Sequence, residues 1–207
     1  MVPAMTPPPK SFRAIRGVHD ILPGDSEHWQ VIERASARLF AAFGFREIRL
    51  PIFETTELFA RGIGEATDIV EKEMYTFSDR SGESLTLRPE GTAPAIRAFL
   101  EHHLASGQPI TKLYYSGPMF RYERPQKGRF RQFHQIGAET IGSAHPDVDV
   151  ELLSWLHLLF TQLKIDGLQL ELNSLATSAA GRPIDESCNS FLPPDSHCCA
   201  KTAGGAS

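Results

Sequence analysis

The chain has no cysteine before residue 188. Its three cysteines, Cys188, Cys198 and Cys199, all lie in the last twenty residues. A body without cysteine does not depend on disulfides, which fits a reducing, cytoplasmic setting. The clustering also sets the end of the chain apart from the rest. Long apolar runs are missing too. The nearest, residues 152–160, is interrupted by Ser154 and His157 and falls well short of the ~20 residues of a membrane span. Residues 1–10 hold four prolines and no apolar stretch, so they read as a flexible tail rather than a signal peptide.

Excess positive charge is also lacking. Lys+Arg is 21 against 25 Asp+Glu, a net charge of −4, which excludes a chain that coats nucleic acid with bulk charge. Any such contact must come from a local patch. There are no internal repeats, no P-loop and no His-Glu-x-x-His pattern. Gly62-Ile63-Gly64-Glu65-Ala66-Thr67 imitates the start of a dinucleotide fingerprint, but it lacks the third glycine and a strand-to-helix setting. Cys188, His197, Cys198 and Cys199 do not follow a zinc spacing, so no metal site is expected. What remains is ordinary globular material. With 41% hydrophobic and 22% charged residues, 207 residues can bury a sizeable core. Thirteen Phe against two Trp and four Tyr suggest an interior of plain rings.

The local patterns suggest an α+β fold, an antiparallel β-sheet flanked by helices. Asp25 or Ser26 can cap a helix with Trp29, Ile32, Leu39, Phe40 and Phe43 on one face and Gly44 at its end. Residues 45–50 read as a strand stopped by Pro51. Residues 74–77 and 84–87 flank a polar turn containing Gly82, a hairpin. Thr92 is the expected cap of a helix reaching about His103, with Pro94 in its first turn and His102 and His103 solvated. Residues 111–123 and 129–140 are two long strand candidates. Asp147 opens a helix to about Lys164, whose expected stripe is Leu152, Trp155, Leu156, Leu159, Phe160 and Leu163, with His157 packed in the core. Residues 168–172 alternate as a closing strand. Beyond about Ala176 no period survives, and the segment reads as a tail without a core. The expected organisation is therefore a tail over 1–11, a body over 12–175 and a divergent tail over 176–207.

The chemistry is concentrated in residues 120–139. Arg121, Arg124, Lys127, Arg129 and Arg131 oppose only Glu123 between positions 121 and 131, a local anion site in an acidic chain. In strand geometry Arg121 and Glu123 share a face, as do Arg131, Phe133, Gln135, Gly137 and Glu139 on the return, while Ile136 and Ala138 suit packing behind. Such a polar face is costly if buried without partners. A ligand with phosphates, a flat base and an ammonium satisfies it. Arginine forks suit phosphate, Phe133 can stack on a base, and carboxylates suit ammonium and imidazole N–H groups. A second cluster, Leu87-Arg88-Pro89-Glu90-Gly91-Thr92, sits where a strand meets a helix start, and its Glu90 and Thr92 offer oxygens near free helix N–H groups. On its own it reads as a cap.

Together these residues resemble the catalytic domain of class II aminoacyl-tRNA synthetases, and among them the histidyl-tRNA synthetase family. Arg16-Gly17-Val18-His19-Asp20-Ile21-Leu22-Pro23 is similar to that family's opening segment. The helix with Phe43-Gly44-Phe45 and Leu50-Pro51 resembles motif 1, which implies a homodimer. Phe120-Arg121-Tyr122-Glu123 with residues 129–139 resembles motif 2, and residues 87–92 resemble the histidine-binding loop. The resemblance implies ATP and histidine as substrates, Mg²⁺ accompanying ATP, and the acceptor end of tRNA(His) as partner. It gives Arg121 the α-phosphate and the substrate carboxylate, Glu123 the adenine amino group, Phe133 the adenine ring and Arg129 the γ-phosphate. It gives Glu90, Gly91 and Thr92 the histidine ammonium with Gln135 nearby, and Glu139 the imidazole. It covers residues 12–175; a second histidine segment, motif 3 and an anticodon-binding domain have no counterpart in the sequence. The expectation is a histidine–tRNA ligase by descent, truncated and weakly active or inactive as this chain. The alternative is a non-catalytic histidine-binding regulator like the synthetase-like subunit of the ATP phosphoribosyltransferase complex.

Overall fold

A computed structural model describes residues 12–63, 74–123, 128–172 and 199–200. The chain divides into two units, Met1–Leu159 and Phe160–Ser207. In the first, helix α1 (Asp25–Ala42) leads to β1 (Arg46–Glu47), β2 (Phe53–Thr55) and α2 (Thr56–Ile63). The hairpin β3 (Tyr75–Ser78) and β4 (Ser84–Leu87) follows, then α3 (Thr92–Glu101). The long strands β5 (Thr111–Phe120) and β6 (Gln132–Ile141) come next, and then α4 (Asp147–Gln162), which begins in this unit. One sheet has the order β1-β5-β6, with β1 parallel and β6 antiparallel to β5; the other has the antiparallel order β2-β4-β3. This is the expected mixed α+β class.

Helix α1 starts one residue earlier than a side-chain cap requires. Gly24 is its N-cap, and the Glu27 carboxylate reaches back to accept from the Gly24 N–H at 2.6 Å. At the other end Gly44 adopts φ +78°, Gly44 N–H donates to Ala41 at 3.1 Å and Phe45 N–H to Phe40 at 2.9 Å. These two bonds and the Phe40–Phe45 ring contact form a Schellman termination, which glycine accommodates because it has no Cβ. Buried Phe40 then stacks on Tyr114 (4.4 Å between centroids) and Trp155 (3.9 Å). Lys112 secures the same corner, donating to the Phe43 carbonyl at 3.2 Å and pairing with Glu151 at 2.6 Å.

The register of β5 against β6 sorts the long hairpin into two faces. Leu113, Tyr115, Gly117 and Met119 lie opposite Glu139, Gly137, Gln135 and Phe133, so these eight share one face. The other face carries Tyr114 toward α1 and His134 beside Trp29 (4.6 Å between rings). On the first face Tyr115 and Met119 pack with Leu50, and with Ala95 and Ala98 of α3, into a core bordered by Ile48 and Phe133.

Several sequence expectations need adjustment. Trp29 and Ile32 are exposed, and the buried positions of α1 are Ala35, Ser36 and Phe40. The strand expected over 45–50 shortens to Arg46–Glu47, the residues in register with Leu113 and Tyr114 of β5, followed by one further bond from Ile48 N–H to the Tyr114 carbonyl at 2.8 Å. In α4 only Trp155 and Leu159, an i, i+4 pair, are buried, with Trp155 against Phe40 of α1; Leu156 and His157 are exposed. In the second unit the closing strand narrows to β7 (Glu171–Leu172). It pairs in parallel with β8 (Cys199–Ala200), within the segment read as lacking strand structure. Among the described residues no helix is long and apolar enough to cross a membrane. The fingerprint-like residues 64–67 lie outside the described residues.

Burial holds the His134 imidazole below its usual value of 6.5. A lowered histidine favours the neutral form in the fold. Its stability contribution is therefore present above pH 6.5 and lost as pH falls through the folded value. Urea midpoints of wild type and His134→Gln at pH 8 and pH 5 should show the advantage of wild type shrinking at pH 5. An advantage equal at both values contradicts the assignment.

Candidate active site

The site is built where α3 begins. After β4 the chain passes through Arg88, Pro89, Glu90 and Gly91 into Thr92. Arg88 is buried to 5% exposure, although it carries a charge. Its Nε donates to the Pro118 carbonyl at 2.9 Å, and its Nη1 donates to Leu50 at 2.8 Å and Pro51 at 3.2 Å. Its backbone N–H donates to Ile52 and its carbonyl accepts from Phe120. Burial pushes its guanidinium below the usual arginine value, yet an arginine stays charged in proteins. One side chain thus fastens the segment entering β2 to the end of β5. Gly117 must be small beside it, because a Cβ there stands 2.6 Å from Arg88 Nη2.

The N-cap position of α3 is Gly91, and the carboxylate that serves the free helix N–H groups comes from Glu90 rather than from the Thr92 hydroxyl. Glu90 accepts from the backbone N–H groups of Thr92 and Ala93, the latter at 2.9 Å, and its negative charge suits the positive helix end. Thr92, the first helical residue behind N-cap Gly91, is thereby released. Its hydroxyl donates across to Glu139 Oε1 at 2.7 Å. The same oxygen accepts from the Tyr115 hydroxyl at 3.2 Å. The Tyr115 ring lies in a slot between two glycines: a Cβ on Gly91 would stand 2.1 Å from it, and one on Gly137 2.3 Å. Burial pushes the Tyr115 hydroxyl up to about 12, so it remains a donor at neutral pH.

The other end of the same face is cationic. Arg121 Nε donates to the Pro89 carbonyl at 3.0 Å, and its guanidinium lies 5.1 Å from the Phe133 ring centroid. The strand has already ended here: Glu123 N–H donates to the Arg121 carbonyl at 2.8 Å, a three-residue turn. The expectation that Arg121 and Glu123 continue a strand face is therefore replaced by a turn that aims Glu123 toward Arg129, 3.5 Å away. Arg131 lies over the Tyr122 ring at 4.5 Å and donates to the Glu123 carbonyl at 3.4 Å. Gln135 is half-buried midway along β6, opposite Gly117. Arg124 and Lys127 lie outside the described residues. The opening segment joins this wall. The Gly17 carbonyl accepts from Arg131 at 2.7 Å and Gln132 at 3.3 Å, and His19 meets Phe130 edge-on at 4.8 Å.

This layout has relatives. A family model described as histidyl-tRNA synthetase matches residues 17–179. The chain belongs to the histidyl-tRNA synthetase family. It is 61% identical over 165 residues to the histidine–tRNA ligase of Syntrophotalea carbinolica, covering 80% of this chain and 39% of that protein. To the histidine–tRNA ligase of Desulforapulum autotrophicum it is 59% identical over 164 residues, covering 79% and 39%. The chain thus spans about two fifths of the length of the curated relatives it matches. Among solved structures, apo S. aureus histidyl-tRNA synthetase superposes with a TM-score of 0.66 at 42% identity, over 78% of this chain and 37% of that one. A Bacillus halodurans C protein described as an ATP phosphoribosyltransferase regulatory subunit/histidyl-tRNA synthetase shares the fold, with a TM-score of 0.68 at 22% identity over 79% and 41%.

Within this member of the histidyl-tRNA synthetase family, the structure brings Glu90, Gly91, Thr92 and Glu139 together, and Arg121 with Phe133. It pairs Glu123 with Arg129, which sequence reading had assigned separate ligand contacts. Sequence reading passed over Tyr115, and named Arg88 only as a member of the 87–92 cluster. The signal for Tyr115 was present: it alternates with Leu113 and Gly117 on a strand whose antiparallel partner carries Gly137 and Glu139. Gly137→Ala forces a methyl into the Tyr115 slot and is expected to cost on the order of 1–3 kcal/mol in urea unfolding. An unchanged midpoint contradicts the tight slot.

Proposed function

We propose that this chain carries the histidine-activating half-site of a histidine–tRNA ligase. The supporting observation is one strand face with two chemically different ends. Glu139 with Thr92 and Tyr115 lies at one end, and Phe133 under Arg121 at the other. The first end suits a polar ring with N–H groups. The second suits a base and phosphate. In the proposed reaction the histidine carboxylate oxygen attacks the α-phosphorus of ATP, the bond to the β-phosphate oxygen breaks, and pyrophosphate leaves. The 3′-terminal ribose hydroxyl of tRNA(His) then attacks the histidyl carbonyl and AMP leaves.

In this reading Arg121 holds the α-phosphate and the attacking carboxylate, and its fork stabilises the charge that builds on phosphorus. Phe133 stacks on adenine and Glu123 accepts from the adenine amino group. Arg129 swings from Glu123 to the γ-phosphate; the exposed pair it leaves is worth little. Glu90, Gly91 and Thr92 hold the α-ammonium with Gln135 beside them, and Glu139 accepts from the imidazole. Mg²⁺ accompanying ATP would supply further positive charge against the phosphates. Holding both reactants in line is the main contribution of the protein. We further propose that the chain acts in the cytoplasm and forms a homodimer through the motif 1 region.

Histidine-dependent ATP–pyrophosphate exchange tests the reading. The chain should bind histidine and ATP, and exchange more weakly than a full-length relative. Arg121→Gln should remove the exchange, since a single charge-stabilising donor carries roughly 10²–10³ in rate. Histidine binding without ATP binding would favour the regulatory alternative, and binding of neither would contradict both.

A further inference from the structure

Glu139 is anchored in an uneven way. Its Oε1 accepts two hydroxyl donors, Thr92 at 2.7 Å and Tyr115 at 3.2 Å. Among the described residues no donor reaches its Oε2. The two hydroxyls hold the carboxylate from different elements, Thr92 from the first turn of α3 and Tyr115 from the middle of β5. Tyr115 cannot swing away, because its ring is 2% exposed and fills the slot between Gly91 and Gly137. Thr92 is free to point across only because Glu90 serves the free helix N–H groups.

We propose that Tyr115 is a specificity-determining positioning residue. With Thr92 it fixes Glu139 Oε1, so that Oε2 is presented to a ring N–H of the bound amino acid. This rests on the reading of Glu139 as the imidazole partner. A loosely held carboxylate rotates and accepts from water or any cation. A carboxylate held on one oxygen offers a single acceptor in one direction, and only a ligand with an N–H at that point replaces the lost water contact. Tyr115 thus acts through Glu139 without touching the ligand, and the two glycines act by leaving space for its ring.

Tyr115→Phe removes the hydroxyl and keeps the ring in the slot. Calorimetric titration should show histidine bound about tenfold more weakly or worse, the usual loss of a hydrogen bond to a charged group. ATP binding, measured separately, should stay unchanged. In a Glu139→Gln background the further change Tyr115→Phe should alter histidine affinity less than twofold. Discrimination between histidine and ring N-methylhistidine should narrow in Tyr115→Phe. Histidine affinity equal to wild type, or a parallel loss of ATP and histidine binding, overturns the proposal. Absence of histidine binding by the unaltered chain overturns both this proposal and the reading of the pocket. Binding with an indifferent Tyr115→Phe overturns only this one.

Discussion

The buried guanidinium of Arg88 is the contact on which the rest of the arrangement depends. A charge withdrawn from water needs its hydration replaced, and here backbone carbonyls of Leu50, Pro51 and Pro118 replace it. No carboxylate pairs with it among the described residues, so the interaction is not an ion pair that another acid could substitute. Its geometry joins the two sheets, because it directly follows β4 of one and holds Pro118 of β5 in the other. That junction sets where Pro89 presents its carbonyl to Arg121 and where Glu90 meets the first turn of α3. A lysine, with one compact ammonium, cannot span the same three carbonyls.

The β5–β6 hairpin then separates scaffold from site. One face is closed by α1 and Trp155 through the Phe40 stack. The other is covered by the small residues Ala95 and Ala98 of α3, which let the helix approach closely. Close approach is what brings Thr92 within reach of Glu139 and leaves the Tyr115 ring between two glycines. Packing and recognition therefore share the same residues. Tyr115 is a core ring on one side and a hydroxyl donor on the other.

The α+β class, the two long strands, the Gly82 hairpin and the grouping of Phe133, Gln135, Gly137 and Glu139 on one face were legible in the sequence. Each follows from period-two alternation or from a turn residue. The ends of elements were not, because they depend on which side chain wins a competition for free backbone groups. Glu27 reached Gly24, and Glu90 rather than Thr92 serves the first turn of α3, choices that spacing alone leaves open. The anchoring role of Arg88 was not legible, since nothing local announces that three distant carbonyls will surround it. The width of the α4 stripe was overread for a related reason: apolar spacing marks a possible face, whereas burial depends on what lies against it.

Binding of a non-hydrolysable histidyl-adenylate analogue to this chain, followed by a crystal structure of the complex, tests the central claim most directly. The account predicts one analogue per chain on the β5–β6 face, its imidazole N–H on Glu139 Oε2, its ammonium at Glu90 and Thr92, its adenine on Phe133 and its phosphate mimic at Arg121. An analogue that fails to bind, or that binds away from this face, would contradict it.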